Sequence, residues 1–216
     1  MPNPVIVITG ASRGIGLAVT RSLLKEHNAH VVTISRTRTP ELSQLIQEHE
    51  QSLLTLECDI TDEPAVKTIS TSIFSRSLPA IRASLPDLRE SKGRIIFISS
   101  GAATGNIYGW GAYNASKAAM NSLSRTLASE EPSIVSLALA PGRVDTAMQA
   151  VLRDAGAQHM KATDHKNFVD AYNEGTLVNP YDVGYVIAAL SLRAPLSLTG
   201  QFVKWDNEEC REFRRK

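Results

Sequence analysis

The stretch TGASRGIG, residues Thr9–Gly16, joins an apolar run, Val5–Thr9, to a segment with helical spacing, Ile15–Lys25. The apolar, β-branched run predicts a fully buried parallel strand, and the spacing after it predicts a helix. Glycines in such a strand-to-helix turn allow a sharp reversal and a close approach of the backbone to a ligand. The N–H groups at the start of the helix then face that ligand and suit a phosphate.

The spacing of this turn is a variant of the dinucleotide-binding fingerprint. In that fingerprint Gly10 would permit the tight turn, Gly14 would let the backbone approach a pyrophosphate, and Gly16 would let helix and strand pack closely. We therefore predict that the turn binds the cofactor phosphates through these glycines and their neighbours Ser12, Arg13 and Ile15.

Strands and helices alternate along the rest of the chain, which predicts an α/β fold of Rossmann type with a doubly wound parallel sheet. One domain is expected over residues 1–216, since no boundary or repeat is visible. A long helical segment is expected to reach Glu90 with interruptions at Pro79 and Pro86. The remaining predicted strands are Val31–Ser35, Leu53–Cys58, Arg94–Ser99, Ile134–Ala140 and Gln201–Trp205, and the remaining helices are Glu41–Gln51, Tyr113–Leu127 and Asp182–Leu192.

Composition excludes several classes of protein. The chain has 216 residues, 43% of them hydrophobic, with 23 basic and 22 acidic residues for a net charge of +1. A disordered chain is excluded, and no overall field is available to attract nucleic acid or an anionic membrane. Cys58 and Cys210 fit no metal spacing and predict free thiols in a reducing compartment, so a cytoplasmic location is expected. The five histidines form no ligand set, and no metal site is predicted.

Cofactor choice is expected to depend on the end of the second predicted strand, where a carboxylate would bind the ribose of NAD. Here Ser35 is followed by Arg36, and Arg13 lies in the glycine turn. Two guanidinium groups suit a 2′-phosphate, which favours NADP(H). The alternative is that Arg36 and Arg38 are ordinary surface charges. Asp59, after the third strand, would bind the adenine amino group or else cap the next helix.

A serine, a tyrosine and a lysine follow in an order that suits carbonyl reduction. Tyr113 and Lys117 are four residues apart and share one face of a helix, and Ser100 ends the preceding strand. A free phenol has a pKa of about 10, and a neighbouring cation would lower that value toward neutrality. Tyr113 would then act as general acid and base, Lys117 would supply the charge and bind the nicotinamide ribose, and Ser100 would hold the substrate oxygen. A helix-borne Tyr–Lys pair can also be mere packing.

Taken together, these motifs resemble the short-chain dehydrogenase/reductase family, in whose order they occur. The resemblance implies catalytic roles for Ser100, Tyr113 and Lys117, and contacts of Gly142, Val144 and Thr146 with the nicotinamide or pyrophosphate. Three further segments resemble those of the benzil reductase and sepiapterin reductase branch of the family. This resemblance suggests an activated ketone or diketone as substrate. The matching stretches are Thr9–Gly16, Cys58–Thr61, Ile96–Ser100, Tyr113–Lys117 and Pro141–Thr146.

The chain departs from the family pattern in its centre. Between Val66 and Leu88 it has no strand ending in Asn-Asn-Ala-Gly, and Ser72 stands about where the family has a helix-borne asparagine. The deficit is about one βα unit, roughly 30 residues. In the family that strand lies between the first strand and the strand that precedes the serine. Without that strand, two arrangements are possible. Either the strand that precedes the serine moves next to the first strand and shifts Ser100, or the facing edges of these two strands stay without partners.

Two functions remain open: an NADP(H)-dependent reductase of a small carbonyl compound, and a nucleotide-binding protein that keeps the motifs without their geometry. A chain that cannot fold alone is a third possibility. Residues 147–175 are expected to form a lid over the substrate, and the family implies a homodimer or homotetramer. Some aromatic and methionine side chains would line an apolar site or else pack in the core: Trp110, Met148, Met160, Phe168 and Tyr172.

Overall fold

The computed structural model describes residues 3–57 and 74–215. Some of the sequence predictions concern positions outside these ranges: Cys58, the adenine-binding candidate Asp59, and Ser72. The described part is a single α/β domain in which every strand pairing is parallel. The predicted Rossmann-type fold is confirmed.

In the described part of the chain, six strands form two three-stranded sheets, in the orders β1-β2-β3 and β4-β5-β6. In the first sheet Val7 is opposite Val32, and Val32 is opposite Leu54. Within the described residues β4 does not pair with β1 and no strand lies between them, which is the second of the two arrangements considered from the sequence. The strands are β1 Val5–Thr9, β2 His30–Ser35, β3 Leu53–Glu57, β4 Arg94–Ile98, β5 Val135–Ala140 and β6 Phe202–Lys204.

Seven helices of the described chain surround these sheets. Two of them begin where the sequence supplies both a cap and a proline. The Thr39 hydroxyl accepts from Leu42 N–H ahead of Pro40, and the Asn179 side chain accepts from Tyr181 N–H ahead of Pro180. The helices are α1 Gly14–Glu26, α2 Pro40–Glu48, α3 Phe74–Ser91, α4 Gly111–Glu130, α5 Ala147–Ala155, α6 Ala162–Asn173 and α7 Pro180–Arg193.

Several helix predictions are wrong in their bounds or continuity; α4, for example, is Gly111–Glu130 rather than Tyr113–Leu127. The helix α3 continues past Pro79 and Pro86, which were expected to interrupt it. Pro86 is exposed, so water can satisfy the backbone carbonyl that loses its helical partner there. The helix α2 ends at Glu48 rather than Gln51, because the His49 carbonyl accepts from Leu53 N–H and turns the chain into β3.

The main core lies between the two sheets and the helices α1 and α7. Those helices approach closely because position 184 is glycine: a Cβ there would lie 2.8 Å from the Ala18 Cβ. The strand β5 is buried at all of its positions. Cys210 is a buried free thiol in the same core, and burial raises its pKa to about 11.

The strand β1 is less buried than its sequence predicts. Val5 and Val7 are 64% and 55% exposed, whereas Ile6 and Ile8 pack on the main core. One face of β1 is therefore covered by helices and the other is open. The prediction of a fully buried strand is wrong because it assumed neighbours on both faces, which the described part of the chain does not provide.

Candidate active site

The glycine turn has the backbone geometry that its sequence predicts. Gly10 and Gly14 have φ angles of +74° and +56°, which favour glycine. A Cβ on Gly16 would collide with the Gly10 carbonyl oxygen, so only glycine lets α1 start this close to β1. The helix begins without a side-chain cap, and its first N–H groups, that of Ile15 included, remain available to a phosphate.

The loop after β5 lies directly against this turn. A Cβ on Gly14 would be 3.5 Å from the Thr146 Cγ2 atom. Gly142, with a φ angle of +77°, turns the chain beside Trp205, and Val144 forms an isolated parallel bridge with Val178. The predicted cofactor contacts in this loop are thus held next to the predicted phosphate-binding turn.

Three arginines near the end of β2 have different surroundings. Arg38 forms an ion pair with Glu57, with 3.1 Å between Nε and Oε1. Arg13 and Arg36 are exposed and have no ion-pair partner among the described residues. The glycine turn is joined to the end of β2 by the Gly10 N–H, which donates to the Ile34 carbonyl. Arg38 is a surface ion pair, as the alternative interpretation held, whereas Arg13 and Arg36 remain candidates for a phosphate.

The predicted Ser, Tyr and Lys residues lie on two elements that are fixed to each other. The Ser99 hydroxyl, at the end of β4, donates to the Asn121 Oδ1 atom of α4 over 2.6 Å. Ser100 starts a short 3₁₀ turn, and its hydroxyl oxygen accepts from Ala102 N–H at 3.2 Å. That bond uses an oxygen lone pair, which leaves the Ser100 hydroxyl proton free to donate.

Lys117 lies below the ring of Tyr113, with its Nζ atom 5.6 Å from the ring centre. The same Nζ donates to the Ile98 carbonyl oxygen of β4 at 2.7 Å. Burial lowers the pKa of Lys117, because the charged ammonium loses hydration there. The ammonium thus donates to a backbone carbonyl and also lies near the Tyr113 ring.

An aromatic wall continues from Tyr113 toward the segment predicted as a lid. Trp110 meets Tyr113 edge-on at 5.2 Å between ring centres and stacks on Phe168 at 5.5 Å. The segment forms the helices α5 and α6, and its Met148 and Phe168 line the same cleft as Tyr113. Tyr172 is exposed beneath Arg153 and is not part of the cleft wall.

One cleft of about 1920 Å³ brings most of the predicted site residues together. Ser12 and Arg36 do not line it; Ser12 is buried, and its carbonyl accepts from the Thr39 hydroxyl. Asp59 lies outside the described residues. The predicted residues along the cleft are Gly10, Arg13, Ile15, Gly16, Ser100, Tyr113, Lys117, Gly142, Val144 and Thr146.

Gln149 is a cleft residue that the sequence analysis did not single out. It is buried, and its Oε1 atom has no hydrogen-bond partner among the described residues. Its position three residues after Thr146, inside the predicted lid, was the available signal. The described residues contain no group of His, Cys, Asp and Glu side chains that could hold a metal, and no helix there is long and apolar enough to cross a membrane.

A family model matches the chain in two stretches. The family described as short chain dehydrogenase matches residues 4–79 and 74–157. The two stretches meet at residues 74–79, within the part of the sequence where a βα unit is expected to be missing. Together they contain the glycine turn, the Ser, Tyr and Lys residues and the loop after β5.

Two curated relatives and one solved structure are similar over nearly the whole chain. An uncharacterized oxidoreductase of Schizosaccharomyces pombe is 35% identical, with 93% of this chain and 96% of the relative covered. A benzil reductase, (S)-benzoin forming, of Saccharomyces cerevisiae is 32% identical, with coverage of 94% and 96%. The crystal structure of a short chain dehydrogenase/reductase from the same yeast superimposes with a TM-score of 0.90 at 26% identity, covering 99% of this chain and 100% of that one.

The alignment with the Schizosaccharomyces pombe relative extends over 238 positions, more than the 216 residues of this chain. The relative therefore carries positions that have no counterpart here.

Proposed function

Because the chain belongs to the short-chain dehydrogenase family of oxidoreductases, we propose that it reduces a ketone or diketone carbonyl to an alcohol with NADP(H). The observation that carries the proposal is the single cleft shared by the glycine turn and by Ser100, Tyr113 and Lys117. The bound nicotinamide supplies the hydride. The residues of the chain hold the substrate oxygen and move the proton.

Tyr113 is the proposed proton donor. Its phenol would protonate the carbonyl oxygen as the carbon is reduced, and the charge of Lys117 would stabilise the phenolate left behind. The free proton of the Ser100 hydroxyl suits a hydrogen bond to the same substrate oxygen. Tyr113 and Ser100 would thus act at one substrate oxygen, and Lys117 would act through its charge on Tyr113.

The cofactor residues fit a dinucleotide. Position 16 admits no Cβ, and α1 begins without a side-chain cap, so the pyrophosphate has a cradle of backbone N–H groups. Arg13 and Arg36, without partners in the described structure, would bind a 2′-phosphate, which favours NADP(H) over NAD(H). We further propose ribose contacts for Tyr113 and Lys117, and phosphate or nicotinamide contacts for the loop after β5. The remaining proposed cofactor contacts are Gly10, Ser12, Ile15, Asp59, Gly142, Val144 and Thr146.

The proposed substrate is an aromatic or otherwise activated ketone. The Saccharomyces cerevisiae relative is a benzil reductase, and benzil is a diketone with two phenyl rings. The stacked pair of Trp110 and Phe168 beside Tyr113 offers a planar apolar surface to such a ring. Residues 147–175, with Phe168 on α6, would act as the lid over it.

The test is the consumption of NADPH by the purified full-length chain with benzil. We expect turnover with NADPH to exceed turnover with NADH. Tyr113→Phe should lower the turnover rate by about 10²- to 10⁴-fold, because the general acid is lost while the ring remains. Tyr108→Phe is the matched control, since Tyr108 is exposed and not part of the cleft wall. Equal loss in both variants, or full activity in Tyr113→Phe, would contradict the proposal.

A second candidate is a nucleotide-binding protein without turnover. Two observations favour it: within the described residues β1 and β4 have no strand between them, and the Lys117 amine is bound to the Ile98 carbonyl. A displacement of catalytic groups by about 1 Å can already cost about a hundredfold in rate. Saturable NADPH binding without reduction of any ketone tested would support this candidate.

We also propose that the protein works in the cytoplasm as a homodimer or homotetramer, with neither nucleic acid nor membrane as a partner. The buried free thiol of Cys210 is compatible with a reducing compartment. Sedimentation of the purified chain checks the assembly state.

A further inference from the structure

The edge of β1 that faces away from β2 carries backbone groups without a strand partner in the described chain. In a parallel sheet, successive residues of a strand direct their N–H and C=O groups to opposite sides. The Pro4 carbonyl accepts from His30 N–H, and the Gly10 N–H donates to the Ile34 carbonyl. The residues at odd positions between them, Val5, Val7 and Thr9, therefore direct their backbone groups to the other side.

The strand β4 presents a similar edge. The Gly93 carbonyl accepts from Val135 N–H, and the Ser99 N–H donates to the Leu139 carbonyl, so these positions face β5. Arg94, Ile96 and Ile98 direct their backbone groups away from β5. The Ile98 carbonyl is the one that accepts from the Lys117 ammonium.

Both edges line the same cleft, and we call the part between them the slot. The slot is bounded by Val5–Thr9 on one side and Arg94–Ile98 on the other. The helix α7 holds the two sheets together, because it packs along α1 of the first half and against β4 of the second. The slot therefore lies between two fixed walls, each with unused donors and acceptors.

Most side chains of the two strands beside the slot are apolar, with Thr9 and Arg94 at their ends. Val5 and Val7 are exposed on one face of the first sheet, and Leu54 and Leu56 are exposed on the same face two strands away. Exposed apolar side chains next to open strand edges are a known template for pairing with another strand. A charged or helical ligand would leave these backbone groups unsatisfied, whereas an extended apolar segment has donors and acceptors on both of its sides and can pair with open strand edges.

We propose that the slot binds an extended apolar strand of another polypeptide, which completes one continuous sheet through β1 and β4. The occupant is a segment of about five residues, matching the five-residue strands on either side, with β-branched side chains and no charge in its centre. The proposal concerns binding alone and holds whether or not the chain has the reductase activity proposed above.

The probe is the synthetic peptide acetyl-Lys-Lys-Thr-Val-Val-Ile-Val-Lys-Lys-amide, added to the full-length chain. We expect saturable binding with one peptide per chain, measured by fluorescence anisotropy of a labelled copy. Amide hydrogen exchange should slow by at least about tenfold at Val5, Val7 and Ile96, whose N–H groups face the slot. The N–H groups of Ile6 and Ile8, already bonded to β2, should change little.

Two peptide controls test whether the peptide binds through backbone pairing. N-methylation of every second central residue removes the N–H groups on one side of the peptide only, and the two possible patterns address the β1 and β4 edges in turn. Each should weaken binding by at least about tenfold, since two or more hydrogen bonds are lost. Equal binding of the methylated and unmethylated peptides would overturn the proposal, because a merely hydrophobic site ignores these changes.

A pair of protein variants tests the same point from the other side. Val7→Pro removes a slot-facing N–H and leaves the bonds to β2, and Val7→Thr keeps both the N–H and the branched side chain. We expect weaker peptide binding in Val7→Pro alone, with a cooperative thermal melt in both. If Val7→Pro does not fold, the methylated peptides on the unchanged protein decide. No saturable binding, or a protein dimer whose slot amides are already protected, would overturn the proposal in favour of an empty slot or a second copy.

Discussion

The strands β1 and β5 are both short, parallel and mostly apolar, and both are followed by a glycine-containing turn that lines the cleft. Yet β5 is buried at every position, whereas β1 is half-buried on one face and exposed on the other. The difference follows from their neighbours: β5 pairs with β4 and β6, whereas β1 pairs with β2. A strand's composition thus says that it can be buried, and its place in the sheet decides whether it is.

The largest expected effect separates these two environments directly. Val135→Ala in β5 should lower the free energy of unfolding by about 2–3 kcal/mol, because two buried methyl groups leave a cavity. Val7→Ala in β1 should change it by about 0.5 kcal/mol or less, as an exposed substitution does. Urea unfolding of both variants measures the contrast.

Val31→Ala provides the control, since Val31 is buried in the same sheet as Val7 but on the helix-covered face. Val31→Ala should lower the free energy of unfolding by about as much as Val135→Ala does. A small effect at Val31 would mean that the whole first sheet, rather than one face of it, is weakly stabilising.

A smaller effect is expected at the turn after β1. Gly16→Ala places a methyl group against the Gly10 carbonyl and should cost about 1–3 kcal/mol of unfolding free energy, together with weaker NADPH binding. Gly101→Ala, at the corresponding turn after β4, meets no atom within 4 Å and should cost little. Thermal melts with and without NADPH measure both; equal losses would show that the glycine turn is not tightly packed.

The smallest expected effect concerns the pH dependence contributed by Lys117. Burial lowers its pKa in the folded state, so the unfolded chain binds more protons in the alkaline range. The stability of the unchanged protein relative to Lys117→Met should therefore rise as the pH approaches the ordinary lysine value of about 10.4. Urea unfolding at several pH values between about 8 and 11 measures the slope.

Lys166→Met is the control with the opposite sign. The hydrogen bond and charge of Asp170 raise the pKa of Lys166, so its contribution is present at lower pH and is lost as the pH rises through the lysine range. Parallel slopes for the two variants would contradict the burial of Lys117.

Much of the fold could be predicted because its signals are local. Glycine spacing predicted the turn at Gly10–Gly16, and apolar runs predicted the strands within about one residue. The starts of α2 and α7 were predicted at Glu41 and Asp182, within two residues of the observed Pro40 and Pro180. The exposure of Val7 could not be predicted, because it depends on which strand lies next to β1. The continuation of α3 past Pro86 likewise depends on exposure, which the residue type alone does not reveal.

The placement of the candidate site residues was predictable for the same reason, but the hydrogen-bond partners of their side chains were not. The order of Ser100, Tyr113 and Lys117 along the chain placed them on a strand end and the next helix, and the structure places them along one cleft. The hydrogen bond from Lys117 to the Ile98 carbonyl had no sequence signal, because a backbone acceptor has no residue type. The same holds for the burial of Gln149, which comes from the packing of α5.

The Lys117 side chain donates a hydrogen bond to the Ile98 carbonyl, which in a continuous sheet would accept one from a neighbouring strand. Any polypeptide that paired with β4 at this position would compete with the ammonium for one oxygen atom. Completion of the sheet and the electrostatics around the phenol are then thermodynamically linked, and the linkage is reciprocal. A ligand that draws the Lys117 ammonium away from Ile98 would raise the affinity for a pairing strand. A pairing strand would raise the affinity for that ligand by the same factor.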